Sequence, residues 1–88
     1  MQTQLAANIA TDIQVSLSLS DGSTYSVQNL GNSSILGATD HVSSGAPLIT
    51  EYSFRLDAGD SIFITPESTK GIWLICTDAN SVGVEESV

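Results

Sequence analysis

The sequence predicts an all-β protein, a small antiparallel β-sandwich or jelly-roll-like barrel of six to seven short strands. Three observations favour this class. The 88 residues include fourteen Ser and eight Thr, and short hydroxyl side chains compete with helices for backbone hydrogen bonds. Two segments alternate apolar and polar residues, which is typical of strands with one buried face. Three tight loops end in Gly or Asn, the residues that best tolerate a left-handed backbone.

The N-terminal segment, residues 1–12, is small and polar apart from Leu5 and Ile9. We expect it to be an arm or a short irregular segment, because chain ends order only where something holds them. A single sandwich domain is then expected to span residues 13–88. The sequence contains no internal repeat that would require a second domain.

The first predicted hairpin begins with the strictly alternating segment from Asp12 to Ser20. A three-residue loop, Ser20-Asp21-Gly22, keeps the apolar residues of both strands on one face and pairs Leu17 with Tyr25. It also places Gly22 at the position where such a loop needs a left-handed residue.

The second predicted hairpin follows a strand from Leu48 to Leu56. Its loop, Asp57-Ala58-Gly59, pairs Phe54 with Ile62 when the faces are kept in phase. The alternative at this point is a corner, where the chain changes sheets and the two strands do not pair.

The third predicted hairpin turns at Asp78-Ala79-Asn80 and pairs Cys76 with Val82. Between the first two hairpins the chain is expected to be mostly loop from Asn29 to Pro47, with only Ile35-Leu36 as a possible short strand. The predicted core of the three hairpins consists of Ile13, Val15, Leu17, Tyr25, Val27, Tyr52, Phe54, Leu56, Ile62, Ile64, Ile72, Leu74, Cys76, Val82 and Val84.

The charge balance excludes several classes of partner. Two basic residues, Arg55 and Lys70, stand against ten acidic ones, which gives a formal net charge of -8. Binding to DNA or RNA phosphates needs a basic surface that this chain cannot build, so we expect no nucleic-acid partner. No apolar run reaches the length of about 18 residues that suggests a membrane helix, and no membrane partner is expected.

No residue pattern indicates an enzyme, a cofactor or a metal site. His41 is the single histidine and lies beside Asp40 in a Gly/Ser/Thr-rich stretch, without a recognisable catalytic context. Cys76 is in phase with core residues, which predicts a buried, unreactive thiol. Asp57 and Asp60 flank a turn, where an Asp is explained by its hydrogen bond to the backbone.

The candidate contact residues are Phe63, Trp73 and Ile75, which the alternation places opposite the main core. Two interpretations are open. Loops or the N-terminal segment could cover these strands on both sides, or the aromatic residues could anchor a contact with another subunit. Carbohydrate stacking on Trp73 is a third possibility. A core this small without disulfides also favours association with further copies or with a larger assembly.

From Asn29 onward, the order of short motifs resembles a family of small virion accessory proteins of tailed bacteriophages. The resembling pieces are Asn29-Leu30-Gly31-Asn32-Ser33-Ser34, Ile35-Leu36-Gly37, Ser44-Gly45-Ala46-Pro47-Leu48, Leu56-Asp57-Ala58-Gly59-Asp60-Ser61, Gly71-Ile72-Trp73-Leu74-Ile75-Cys76 and Val82-Gly83-Val84-Glu85. Such proteins are β-sandwich or jelly-roll modules that decorate capsids or form parts of tails and fibres, and they are not enzymes.

The resemblance implies a structural protein, made in the cytoplasm of a bacterial host and located in the virion. The expected role is a head decoration or cementing protein that binds the major capsid protein or another virion protein. A homo-oligomer, for instance a trimer, is expected. The charge of -8 favours the outer capsid surface, because packaged DNA would repel it. The alternative is a receptor- or carbohydrate-binding module of a tail or fibre.

Overall fold

Two four-stranded antiparallel sheets make up the protein. The computed structural model describes residues 1–42, 45–67 and 69–87, and for residues 40–42 and 49 it describes the backbone alone. The strands are β1 (Gln2–Leu5), β2 (Thr11–Asp12), β3 (Thr24–Asn29), β4 (Ile35–Val42), β5 (Phe54–Leu56), β6 (Ser61–Ile64), β7 (Lys70–Cys76) and β8 (Asn80–Ser87). The helical elements are α1 (Ile13–Ser16) and a 3₁₀ turn (Ile49–Glu51).

The strand order is that of a jelly roll. Sheet 1 has the order β1-β8-β3-β6, and sheet 2 has the order β2-β7-β4-β5. The pairs are nested, since β1 pairs with β8, β2 with β7, β3 with β6 and β4 with β5. Rolling up one long hairpin gives this pattern, which defines the double-sheet jelly roll. The predicted fold class is confirmed, but the predicted number of strands is too low.

The N-terminal segment belongs to both sheets, where the sequence predicts an arm or irregular segment. β1 lines the edge of β8, and β2 lines the edge of β7. The ammonium group of Met1 donates to the Val84 carbonyl at 2.8 Å, and the Val84 N–H donates to the Met1 carbonyl at the same distance. Leu5 is fully buried in the core. Burial of Leu5 and backbone pairing with the edges of β8 and β7 hold this segment in place.

The first predicted hairpin is wrong. Ile13–Ser16 is a helix, and its N-cap Asp12 accepts a hydrogen bond from the Gln14 N–H at 3.0 Å. Val15 is 66% exposed rather than in the core, and Tyr25 pairs with β6 and β8. The spacing of Ile13 and Leu17 suits a helical turn as well as a strand, and the capping carboxylate favours the helix.

The loops at Asp57 to Asp60 and Asp78 to Asn80 are corners between sheets, not hairpins. The first leads from β5 in sheet 2 to β6 in sheet 1, and the second leads from β7 in sheet 2 to β8 in sheet 1. The corner alternative considered for Asp57 to Asp60 is therefore correct. In a sandwich both sheets point their apolar residues inward. The alternation of apolar residues along two consecutive strands therefore cannot distinguish a hairpin from a corner. Gly22 and Gly59 have the predicted positive φ, whereas Asn80 does not.

Two strand lengths also differ from the prediction. The segment from Leu48 to Leu56 is a strand only in β5, and it begins with a 3₁₀ turn in which the Glu51 carboxylate accepts the Leu48 N–H at 2.6 Å. In contrast, β4 extends far beyond the predicted Ile35-Leu36. Gly37 in β4 leaves room for the Phe54 ring, which lies where a Cβ would be.

The core lies between the two sheets. Of the predicted core, Val15 is exposed and Tyr52 is only half-buried, while Leu17, Phe54 and Ile62 pack on the margin. The predicted core does not include Leu5, Leu19 and Ile35, which are buried. The buried cluster consists of Leu5, Ile13, Leu19, Tyr25, Val27, Ile35, Leu56, Ile64, Ile72, Leu74, Cys76, Val82 and Val84.

Candidate functional site

The three candidate contact residues lie on opposite faces of the sandwich. Phe63 is on the outer face of sheet 1 and is 69% exposed. Trp73 and Ile75 are on the outer face of sheet 2, because their neighbours Ile72 and Leu74 point into the core. The structure therefore does not bring the three residues into one surface. Their role as partner contacts stays a prediction.

Trp73 is largely covered in the isolated chain, with 9% of its surface exposed. Its cross-strand neighbours are Asp12 of β2 and Ala38 of β4, and both are buried. Carbohydrate stacking requires an open ring face, which this tryptophan does not offer. Of the two interpretations of Trp73, this placement favours a ring packed within the domain.

Next to Trp73, the outer face of sheet 2 has an open apolar groove, which we call the sheet-2 groove. It has a volume of about 420 Å³ and is lined by Asn8, Ser33, Ser34, Leu36, Ile75, Cys76 and Thr77. Its floor is the cross-strand pair Leu36 and Ile75, contributed by the two central strands of the sheet. The sequence alone does not indicate Leu36 as a site residue, because its pairing with Ile75 depends on the order of the strands in the sheet.

The rim of the sheet-2 groove is acidic. The Ser34 hydroxyl donates to Asp57 at 2.7 Å, and the Ser33 hydroxyl donates to Asp78 at 3.2 Å. The guanidinium of Arg55 lies 3.1 Å from the Asp57 carboxylate. The rim therefore combines two carboxylates, one of them paired with Arg55, with hydroxyl groups around an apolar floor. This arrangement is suited to a partner with an apolar anchor and a basic group beside Asp78.

A second exposed feature is the free edge of sheet 1. We call Ser61–Thr65, which comprises β6 and the following residue, the β6 edge. Beside it lies a hollow of about 340 Å³ at the seam between the sheets, where Phe54 and Ile62 contribute apolar surface. The remaining outer face of sheet 1 is polar, with Thr24, Ser26 and Gln28 on β3.

Two buried asparagines fix the end of the sandwich where the corners meet. The Asn29 amide donates to the carbonyls of Ser33 and Leu56 at 2.7 and 2.9 Å, and its oxygen accepts from the Gly31 N–H at 3.0 Å. The Asn80 amide donates to the same Ser33 carbonyl at 2.6 Å. These bonds satisfy buried backbone groups, so both residues have a structural role.

The thiol of Cys76 is buried in the core. Burial, together with the charge of Asp78, raises its pKa, so the neutral thiol is favoured. Within the described ranges, no group of three His, Cys, Asp or Glu side chains is placed to hold a metal ion. The backbone of His41 pairs with Gly71 in the β4–β7 ladder, while its side chain lies outside the described part of the structure.

Both basic side chains of the protein take part in ion pairs. Arg55 contacts Asp57, and the Lys70 ammonium lies 3.3 Å from the Glu67 carboxylate. Each cation thus offsets a carboxylate of its own chain. Of the described carboxylates, Asp12 is buried, and the others are exposed. In the described residues, no helix has the length and apolar character required to cross a membrane. Searches of protein-family models, curated proteins and solved structures gave no match to this chain.

Proposed function

We propose that this protein is a structural component of a bacteriophage virion, a head decoration or cementing protein that binds the major capsid protein. The motif order from Asn29 to Glu85 supports this proposal through its resemblance to such proteins. The jelly-roll topology supports it as well, because jelly rolls occur repeatedly in viral capsid proteins. In this role the protein binds and does not catalyse, and it needs no cofactor.

The observation that carries the proposal is the sheet-2 groove. Leu36 and Ile75 present apolar surface on the two central strands of a sheet whose other face is packed in the core. A surface on such rigid strands can bind a partner without the entropy cost of ordering a loop. Exposed apolar surface with a polar rim is typical of protein–protein contact sites.

The charge of the protein supports a position on the outer capsid surface. With a net charge of -8, many copies inside the shell would face the phosphates of the packaged DNA. On the outside, the carboxylate of Asp78 at the groove rim would instead meet a basic group of the capsid protein. Such a contact would be sensitive to ionic strength.

The alternative function, a receptor- or carbohydrate-binding module of a tail or fibre, has one supporting observation. Phe63 is an exposed aromatic ring beside the hollow at the seam, and aromatic rings stack on sugar faces. Under this alternative Phe63, and not Trp73, would hold the ligand.

Quantitative mass spectrometry of purified virions tests the proposal. A copy number comparable with that of the major capsid protein is expected for a decoration protein. A few copies per particle would favour the tail or fibre alternative. Absence of the protein from the virions would contradict both functions.

A further inference from the structure

Among the residues that the structure describes, the β6 edge has a strand neighbour on one side only. β6 is the last strand of sheet 1 and pairs with β3 alone. Its residues Ser61–Thr65 carry no charge, and three of the five are β-branched. Natural proteins usually protect an edge strand with charges, prolines or bulges, because an open edge can pair with another chain. Pro66 follows this edge, but no proline or charge lies within it.

Two backbone hydrogen bonds between Asn29 of β3 and the corner that precedes β6 show which residues of β6 bond to β3. The Asn29 N–H donates to the Asp60 carbonyl at 2.9 Å, and the Gly59 N–H donates to the Asn29 carbonyl at 3.0 Å. Hydrogen-bonded and non-bonded pairs alternate along an antiparallel ladder. The bonded partners further along are therefore Ile62 and Ile64, opposite Val27 and Tyr25.

The other side of β3 gives the same phase independently. There the Leu30 N–H donates to the Ser81 carbonyl at 3.0 Å, so the even-numbered residues of β3 bond to β8. Consequently, the N–H and C=O groups of Ser61, Phe63 and Thr65 point away from β3, toward the free edge.

We propose that the β6 edges of two copies pair antiparallel about a two-fold axis at Phe63. Only the register centred on this residue pairs all the outward-pointing groups, with Phe63 opposite the partner's Phe63 and Ser61 opposite the partner's Thr65. A register shifted along the strand would use Gly59, whose N–H already bonds to Asn29, or would extend past Pro66. Sheet 1 of one copy and sheet 1 of the other would then form one continuous sheet of eight strands.

The side chains fit this register on both faces. On the outer face, the two exposed Phe63 rings meet across the axis, and each buries surface that is open in the single chain. On the inner face, Ile62 lies opposite the partner's Ile64, at the hollow beside Phe54. Within the paired residues no like charges face each other, because Asp60 lies opposite the partner's Pro66. The Glu67 carboxylate, which also lines the hollow, is paired with Lys70 of its own chain. For a chain of net charge -8, two copies repel each other less across an uncharged edge than across a charged one.

This self-association does not depend on the proposed virion function, because the observations that carry it concern sheet 1 alone. Sedimentation of the purified protein tests it directly, and a concentration-dependent dimer is expected. Phe63→Lys should abolish the dimer, since two lysines would face each other. The matched control is Leu48→Lys, which changes an equally exposed apolar residue and should leave the dimer intact.

A charge-swap experiment tests the two-fold register. Phe63→Lys and Phe63→Glu should each be monomeric, and an equimolar mixture should recover a heterodimer because position 63 meets itself. Recovery in the mixture would not occur if Phe63 contacted any other part of the second copy. Circular dichroism of each variant should match the parent, since the side chain is exposed.

Disulfide trapping gives a second, independent measurement. The Cα atoms of a bonded antiparallel pair lie about 5.5 Å apart, within the range of a disulfide. Phe63→Cys should therefore form a covalent dimer on mild oxidation, and a mixture of Ser61→Cys and Thr65→Cys should do the same. Neither of the latter two variants should crosslink alone. A monomeric parent at high concentration, or a crosslink of Ser61→Cys with itself, would overturn the proposal.

Discussion

The outer faces of the two sheets differ in character. Sheet 1 presents Ser, Thr and Gln side chains along β3, whereas sheet 2 presents Leu36, Ala38, Trp73 and Ile75. The sequences of the strands reflect this difference. β3 alternates apolar and polar residues, but β7 contains an unbroken apolar run from Ile72 to Cys76, which is typical of a strand buried on both faces. Sheet 2 is thus the more completely covered of the two sheets, since even on its outer face Trp73 and Ala38 are buried within the domain.

The largest expected effect separates the two outer faces by stability. Trp73→Ala should lower the free energy of unfolding by about 3–5 kcal/mol, because it removes a large buried side chain from sheet 2. Phe63→Ala on sheet 1 should change it by less than about 0.5 kcal/mol in the monomer, since that ring is exposed. Urea denaturation, at a protein concentration too low for dimers to form, measures the free energy of unfolding of both variants. Equal losses would contradict the conclusion that the outer face of sheet 2 is the more completely covered.

The next prediction compares the two faces as attachment surfaces. Ile75→Glu places a carboxylate in the sheet-2 groove near Asp78 and should abolish binding to particles that lack the protein. Its cost in folding stability should be only about 1 kcal/mol, because Ile75 is half-buried. The matched control, Gln4→Glu, adds the same charge at an exposed position of β1 on the outer face of sheet 1, opposite Ser81, and should still bind. Co-sedimentation with the particles is the measurement. If only the control lost binding, the prediction would be wrong and the attachment surface would lie on sheet 1.

A smaller effect concerns Tyr52, which precedes β5 of sheet 2. Its hydroxyl is buried and has no hydrogen-bond partner among the described residues, and burial raises its pKa above the usual 10.0. Tyr52→Phe removes an unsatisfied polar group and should stabilise the protein by about 1 kcal/mol. Thermal unfolding at neutral pH measures the difference. A substantial loss of stability would show instead that the hydroxyl is bonded.

The smallest expected effect is a pH dependence of the free energy of unfolding, caused by Cys76 at the end of β7. Because the folded state raises the pKa of Cys76 above its ordinary 9.0, the unfolded state releases this proton first. The contribution of the thiol to stability is complete below pH 9.0 and is lost as the pH rises through the folded pKa. Unfolding free energies between pH 8 and 10 should therefore fall more steeply for the parent than for Cys76→Ala. Parallel curves would contradict this prediction.

The strand pattern of the sequence predicts the fold class but not the pairing of strands. Alternation identifies which residues point inward, as for Val27 and Ile64, and glycine chemistry locates the tight bends at Gly22 and Gly59. Alternation cannot tell whether consecutive strands share a sheet, since inward-pointing residues have the same phase in either case. For this reason, two corners resemble hairpins in the sequence.

The candidate surfaces are also only partly predictable from the sequence. The exposed Phe63 and the double-faced apolar character of β7 follow from local alternation. The placement of Phe63 and Trp73 on opposite faces depends on which sheet each strand joins, and local sequence carries no information on that. Likewise, Leu36 becomes part of a binding surface only through its pairing with Ile75.

The nested pairing of strands has a kinetic consequence. Met1 and Val84, which bond to each other in sheet 1, are separated by 83 positions in the chain. Thr11 of β2 and its partner Leu74 of β7 are separated by 63 positions. A chain dominated by such distant contacts must close large loops before it gains their energy, which places its folding time on the order of milliseconds to seconds. The inner pair, β4 with β5, is the closest in sequence and is expected to form first, with the strands at the two ends of the chain joining last.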